Sequence, residues 1–132
     1  MSEAHGADIR YRLGGEVDLD ALNGLFEQPW PAVADLERVL AHSLTYMCAY
    51  AGNELVGYVN VAWDGGVHAF LLDPNVKPSW RRRGIGTELV RRATEAAREA
   101  GCEWLHVDYD PELEPFYEAC GFRATPAGLI RL

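Results

Sequence analysis

Residues 76–89 read VKPSWRRRGIGTEL: three consecutive arginines, then Gly84 and Gly86, then the start of an amphipathic pattern. Glycine has no Cβ, so the backbone can come close to an anion at these positions. The first N–H groups of a helix point at such an anion, with the positive end of the helix dipole behind them. The stretch therefore predicts a phosphate-binding helix N-terminus, to which the arginines add charge.

Two common phosphate-binding motifs are absent from this stretch. A dinucleotide fingerprint requires a third glycine where the chain has Leu89, and a P-loop requires a Gly-Lys-Ser/Thr sequence that does not occur. A second motif follows downstream as FYEACGF, residues 116–122. The pairing of this motif with RRRGIG at residues 81–86 resembles the GNAT superfamily of acetyl-coenzyme A-dependent N-acetyltransferases.

The order of predicted elements agrees with this resemblance. Alternating apolar runs bounded by turn glycines predict strands, and apolar residues at helical spacing predict helices. Strands are expected at 8–12, 46–51, 54–63, 67–72, 104–109 and 128–132, and helices at 19–26, 33–40, 84–100 and 111–120. The order β-α-α-β-β-β-α-β-α-β matches that of the family, which implies an α/β (α+β) fold with a mixed central sheet flanked by helices. The length predicts a single domain over residues 1–132. The resemblance adds that two parallel strands, 67–76 and 104–109, splay apart.

Basic residues are concentrated in one segment of an acidic chain. The net charge is −8, yet residues 77–98 hold seven of the 12 Lys and Arg against two Glu, so this segment is +5 and the remainder −13. A nucleic-acid-binding domain spreads basic residues over a face. The compact patch instead favours a small polyanion such as coenzyme A, with no nucleic acid. For Arg91, Arg92 and Arg98 we expect an ordinary solvent-facing position on the helix.

No apolar run approaches the ~18 residues of a membrane span. Residues 1–8 carry no apolar export segment either. We therefore expect a cytoplasmic protein without a membrane partner, and both a monomer and a homodimer remain open.

The resemblance implies acetyl-coenzyme A as acyl donor and assigns its contacts. Backbone N–H groups at the helix start would bind the pyrophosphate, and the backbone of Val76 would pair with the pantetheine arm as an added strand would. Asp110 stands where the family often has asparagine, and a carboxylate accepts hydrogen bonds without donating them. The implied cofactor residues are Val76, Arg81, Arg82, Arg83, Gly84, Ile85, Gly86, Thr87 and Asp110.

The resemblance also implies catalytic residues. Tyr117 matches the family's general acid, and a phenol of pKa ~10 is protonated at neutral pH; the alternative is an ordinary core tyrosine. Asp73 and His68 are candidates for the base. Their alternatives are a turn-forming aspartate before Pro74 and a histidine at a strand edge. The histidines show no ligand spacing, so we predict no metal.

The acceptor pocket is implied at the loop between the first two helices, where Glu27 and Trp30 are candidate contacts. The acidic balance outside the cofactor segment predicts a cationic primary amine, either a small molecule or a peptide. The sequence thus predicts an N-acetyltransferase that works by direct attack of the amine on the acetyl group. The alternative is a non-catalytic acyl-coenzyme A-binding sensor or assembly module.

Overall fold

The computed structural model describes residues 8–132, and residues 1–7, on which the expectation about export largely rests, lie outside it. Five strands form one sheet in the order β1-β2-β3-β4-β5. The strands are β1 (Ile9–Leu13), β2 (Thr45–Ala51), β3 (Glu54–Trp63), β4 (His68–Val76) and β5 (Trp104–Val107). The helices are α1 (Leu19–Asn23), α2 (Val33–His42), α3 (Ile85–Glu99) and α4 (Glu114–Ala119), with short 3-10 turns at Pro78–Trp80 and Pro111–Leu113.

The sheet is mixed, as predicted. β1 to β4 pair antiparallel in sequence order, whereas β4 and β5 are parallel and are joined through α3. A parallel pair requires such a crossover connection. The α+β architecture predicted from the sequence is confirmed.

Helices cover the two faces of the sheet with separate core clusters. On one face α3 buries Ile85, Leu89, Ala93 and Ala97, which recur at helical spacing. On the other face α1 and α2 pack Leu22 and Leu36 against Tyr58 of β3. The buried side chains therefore form two separate clusters, one on each face of the sheet.

The outer face of α3 carries the arginines that the sequence placed in solvent. Glu88 forms ion pairs with Arg91 and Arg92, and Arg98 pairs with Glu95. The interpretation of these three arginines as solvent-facing is confirmed.

β4 continues through a β-bulge beyond Leu72, where its alternation predicted an end, to Val76, the end that the resemblance implied. Tyr58 and Asn60 of β3 pair with Asn75 and Leu72 of β4, so β4 has one extra residue in this interval. Asp73 takes a left-handed conformation there, with φ 53°. The bulge accommodates Pro74, which has no N–H for the ladder, and lets the strand continue to Val76.

The predicted last strand, 128–132, is wrong: residues 123–132 contain no strand. Leu129 and Ile130 are 86% and 85% exposed. Their β-forming side chains are not sufficient, because an extended segment without a paired neighbour leaves its backbone groups unsatisfied and its side chains unburied. The first helix also ends earlier than predicted, with Gly24 at its C-cap. Over residues 8–132, none of the helices combines the length and apolar character needed to cross a bilayer.

Candidate active site

A gap opens where β4 and β5 part. Their last parallel pair is Leu71 with Val107, and β4 then runs on to Val76 without β5 beside it. The start of α3 and the side of α4 lie beside this gap. A Cβ built at Gly86 of α3 would lie 3.6 Å from Phe116 Cζ of α4 and 3.8 Å from Val76 Cγ2 of β4. Three elements therefore converge on a glycine at the edge of the splay.

The start of α3 has the backbone geometry of an anion site. Gly84 is its N-cap in the left-handed region, with φ 82°, a conformation that side chains disfavour. Glu88 N donates to Gly84 O at 3.1 Å and is the first N–H bonded back to the cap. The N–H groups of Ile85, Gly86 and Thr87 precede it and have no acceptor within the helix. They can hold a phosphate where the helix dipole is positive.

The three arginines beside this turn differ in their contacts. Arg81 Nε donates to the carbonyl of Val76 at 2.9 Å, tying the loop to the end of β4. The Arg83 guanidinium lies 4.7 Å from the centre of the Trp80 ring. Arg82 is exposed, and its side chain has no hydrogen-bond partner among residues 8–132. Arg82 is thus the arginine that is free to bind a phosphate. A ligand that donates to the Val76 carbonyl would use an oxygen that already accepts a hydrogen bond from Arg81.

Tyr117 is a core residue with an unused donor. It is 3% exposed, stacks on Tyr109 at 4.8 Å and meets Phe116 and Phe122 edge-on. In the part of the chain that the structure describes, its hydroxyl has no hydrogen-bond partner. Burial raises the pKa of Tyr117, so the phenol stays protonated at neutral pH. The structure confirms that the ring packs in the core, and the role of the hydroxyl as general acid stays a prediction.

The two candidates for the base lie in different places. Asp73 is an exposed residue at the bulge beside the splay, and desolvation by neighbouring protein atoms raises the pKa of its carboxyl group. His68 pairs with Trp104 at the opposite end of the parallel ladder, three residues before Leu71 and about 10 Å from it along the strand. Its Nδ1 lies 2.8 Å from His106 Nε2. The structure brings Asp73 to the gap and leaves His68 outside it.

The implied acceptor loop is held by a residue that the sequence analysis missed. The side chain of Asn23 accepts from Trp30 N at 2.8 Å and donates to Trp30 O at 3.0 Å. Phe26 of the same loop contacts the edge of the Tyr58 ring, 5.8 Å between centres. Glu27 is exposed. Asn23 had no sequence signal, because its partner is a backbone segment seven residues away.

A buried polar network under the same face was also missed. Asn60, which is 1% exposed, bridges Ser43 Oγ and the hydroxyl of Tyr58. The available signal was an asparagine in the middle of an otherwise apolar strand. A buried amide needs partners, and their identity emerges only when β3 meets α2.

Asp110 starts the turn before α4, where its carbonyl accepts from Leu113 N at 2.8 Å and its side chain makes no cap bond. Within residues 8–132 the structure contains no group of three or more His, Cys, Asp or Glu side chains able to hold a metal. The assignments of the individual site residues stay predictions.

Comparisons with known proteins agree with this geometry. A probable glucosamine 6-phosphate N-acetyltransferase from Oryza sativa is 43% identical over 58 residues, covering 44% of this chain and 35% of its own length. An acetyltransferase structure from Deinococcus radiodurans superposes with a TM-score of 0.81 at 28% identity, covering 99% of this chain and 93% of the other. An aminoglycoside N-acetyltransferase solved with CoA gives 0.76 at 25% identity, covering 94% and 93%.

The chain spans between 35% and 56% of the length of three plant relatives that it matches. The model of the acetyltransferase (GNAT) family matches residues 16–122, from the loop before α1 through the turn after α4. This match includes both motifs from which the sequence analysis began, and the protein belongs to the GNAT acetyltransferase family.

Proposed function

We propose that the protein transfers the acetyl group of acetyl-coenzyme A to a cationic primary amine. The observation that carries the proposal is the buried Tyr117 hydroxyl, a protonated donor without a partner in the described chain. Tyr117 belongs to α4, next to Phe116, which lies beside Gly86, and its ring stacks on Tyr109, which follows β5. A donor in this position would serve the sulfur of a thioester lying in the splay.

The helix start fits the donor molecule. Acetyl-coenzyme A supplies the activated acetyl group as a thioester. The N–H groups of Ile85, Gly86 and Thr87 would hold its pyrophosphate, and Arg82 would add a charge-assisted contact. The related aminoglycoside N-acetyltransferase was solved with CoA, which supports this assignment.

Acid and base would come from different elements around the gap. Tyr117 lies on α4 in the core cluster under α3, and Asp73 lies at the bulge of β4. An amine of pKa ~10.4 requires about 4.6 kcal/mol to be presented neutral at pH 7. Asp73 would take this proton directly or through water as the amine attacks the acetyl carbon, and Tyr117 would donate to the departing thiolate.

The acceptor class follows from charge and from the relatives. The −13 balance outside residues 77–98 gives a negative field that attracts cations. Relatives are named as glucosamine 6-phosphate and aminoglycoside N-acetyltransferases, whose acceptors are amines. Trp30 and Glu27 would contact the ammonium through cation–π and ionic interactions.

The test is acetyl-coenzyme A turnover against a panel of amines: spermidine, an aminoglycoside, glucosamine 6-phosphate and a lysine peptide. We expect turnover with at least one cationic member, and Tyr117→Phe should lower kcat by about 10²- to 10⁴-fold while leaving cofactor affinity unchanged. Cofactor binding without turnover of any amine would favour the non-catalytic acyl-coenzyme A-binding module. Unchanged kcat in Tyr117→Phe would refute the role of the tyrosine.

A further inference from the structure

β4 and β5 carry a strip of exposed aromatic and apolar side chains on one face of the sheet. Residues 69, 71, 105 and 107 of these strands pack into the cluster under α3. Because side chains alternate across a strand, the residues between them face the opposite side, that of α1 and α2. The β4–β5 strip consists of four residues on that side: Phe70, Leu72, Trp104 and His106.

The helices on that side leave the strip open. The cluster under α1 and α2 takes its strand residues from β2 and β3. On β4 and β5, Phe70 is 38% exposed, Leu72 42% and Trp104 56%. The neighbour of Phe70 on β3 is Ala62, whose side chain is too small to cover the ring. A contiguous exposed apolar surface with a polar margin is typical of an interaction site.

The ring of Phe70 is held in place by β5. Phe70 and His106 are partners in the parallel ladder, and their rings stack with 4.7 Å between centres and 19° between planes. The stack restricts the phenyl ring before any ligand arrives, so less side-chain freedom is lost on binding. This favours a preformed surface for the flat body of a ligand.

The strip ends at the candidate active site. Leu72 directly precedes Asp73, the candidate base. Phe70 lies two residues further back, about 7 Å from Leu72 along the strand. The implied acceptor loop lies on the same face, since Trp30 packs against the cluster under α1 and α2. An amine that reaches Asp73 from this face would therefore lay the rest of its body on the strip.

The charge around the strip suits a cation. Residues 60–75 and 103–110, which contain the strip, include five acidic residues and no lysine or arginine. The acidic residues are Asp64, Asp73, Glu103, Asp108 and Asp110. An aromatic surface with an acidic margin attracts an ammonium group on an apolar body and repels phosphate or nucleic acid.

We propose that the β4–β5 strip binds the apolar body of the acceptor, with Phe70 and Leu72 as specificity-determining residues for a cationic arylalkylamine. The inference rests on the proposed function and narrows its acceptor class. The ammonium group lies at the gap beside Asp73, and the aromatic ring, one short alkyl chain away, packs on Phe70 and Leu72. Trp104 extends the same surface for longer acceptors.

The test compares phenethylamine with ethylamine, which has the same ammonium group without the ring. We expect kcat/KM to be about tenfold higher for phenethylamine, because its ring leaves water for an apolar surface. Phe70→Ala should reduce this ratio about three- to tenfold, and Leu72→Ala gives a second variant should the first lose its fold. Leu13→Ala is the matched control: Leu13 is 53% exposed on β1, at the far edge of the sheet, and the ratio should not change. A ratio near one, or a ratio that neither strip variant lowers, would overturn the inference.

Proton NMR separates this failure from failure of the proposed function. With coenzyme A present, phenethylamine should shift the imidazole signals of His106, which stacks on Phe70, and not those of His42 on α2. No acetylation of any amine would refute the proposed function, whereas His106 signals that ignore phenethylamine would refute the inference. Sedimentation velocity adds a third outcome. A dimer that Phe70→Ala dissociates would show that a second copy covers the strip, and would also overturn the inference.

Discussion

Asp73 shows what a single residue contributes here. Its φ of 53° is left-handed, which costs an L residue about 1–2 kcal/mol. Such strain persists where surrounding structure imposes it, often at functional sites. The sequence offered Asp73 as a candidate base, with a turn-forming aspartate before Pro74 as the alternative. It could not show the left-handed backbone of Asp73, because this depends on how β3 and β4 pair around the bulge.

At the same scale, the two base candidates should separate by pH profile. A carboxylate base must be ionised, so kcat/KM should rise with pH through the pKa of Asp73, which local desolvation raises from the ordinary aspartate value. Asp73→Asn should remove this acidic limb and lower the plateau about 10²-fold or more. His68→Gln should keep both, because His68 lies outside the gap. Loss of the limb in His68→Gln and its retention in Asp73→Asn would reverse the assignment.

At the scale of elements, the start of α3 was largely predictable from the sequence, whereas the contacts of the arginines that precede it were not. Glycine spacing and apolar periodicity are local, and they predicted the helix from position 84 onward. The different contacts of Arg81, Arg82 and Arg83 arise from β4 and from the 3-10 turn at Pro78–Trp80. No pattern within the three arginines contains this information.

This division of contacts gives a prediction about stability and binding. Arg82→Ala should weaken acetyl-coenzyme A binding by about 5- to 10-fold, in keeping with one exposed charge-assisted contact, without changing Tm. Arg81→Ala should lower Tm as well, because it removes the bond to the Val76 carbonyl. Calorimetric titration and thermal melts of both variants measure this. A drop in Tm for Arg82→Ala but not for Arg81→Ala would contradict the described contacts.

The loop after α1 gives a second prediction at this scale. Asn23→Ala removes two hydrogen bonds to Trp30, each typically worth about 1 kcal/mol, and should loosen the acceptor side. We expect a higher KM for the amine and an unchanged Kd for acetyl-coenzyme A. Asn53→Ala, in the turn between β2 and β3, is the matched control and should change neither. An equal loss of cofactor affinity in Asn23→Ala would show that the loop does not act on the acceptor alone.

At the scale of the whole molecule, the order of elements from β1 to α4 was predictable because each element has its own hydrophobic periodicity and is flanked by turn residues. The predicted strand 128–132 was wrong for a non-local reason. The β-propensity of a segment does not provide an adjacent strand with which it can pair. The division of the buried side chains between two clusters was likewise not predictable. Which face of the sheet each residue occupies depends on the register of several strands.

The charge distribution also belongs to the whole molecule. Steering of a cationic amine by the acidic surface is screened by salt, with a Debye length of about 10 Å at 0.1 M. We expect kcat/KM for a cationic acceptor to fall severalfold between 0.05 and 0.5 M salt, on the order of surface steering effects. A neutral arylamine serves as the comparison. If the protein instead acetylates neutral or anionic amines, and kcat/KM for these does not depend on salt concentration, the electrostatic account of the acceptor is wrong.

The central claim is that acetyl-coenzyme A binds at the start of α3, and calorimetric titration of Gly86→Glu tests it most directly. A Cβ fits at ordinary contact distance from Phe116 and Val76, so the fold should be kept, while the longer acidic side chain fills the gap and repels phosphate. Gly128→Glu adds the same charge where a Cβ meets no atom within 4 Å and should bind normally. We predict binding more than about tenfold weaker in Gly86→Glu, the loss expected of a like charge at an anion site. Affinity equal to that of the wild type would contradict the account.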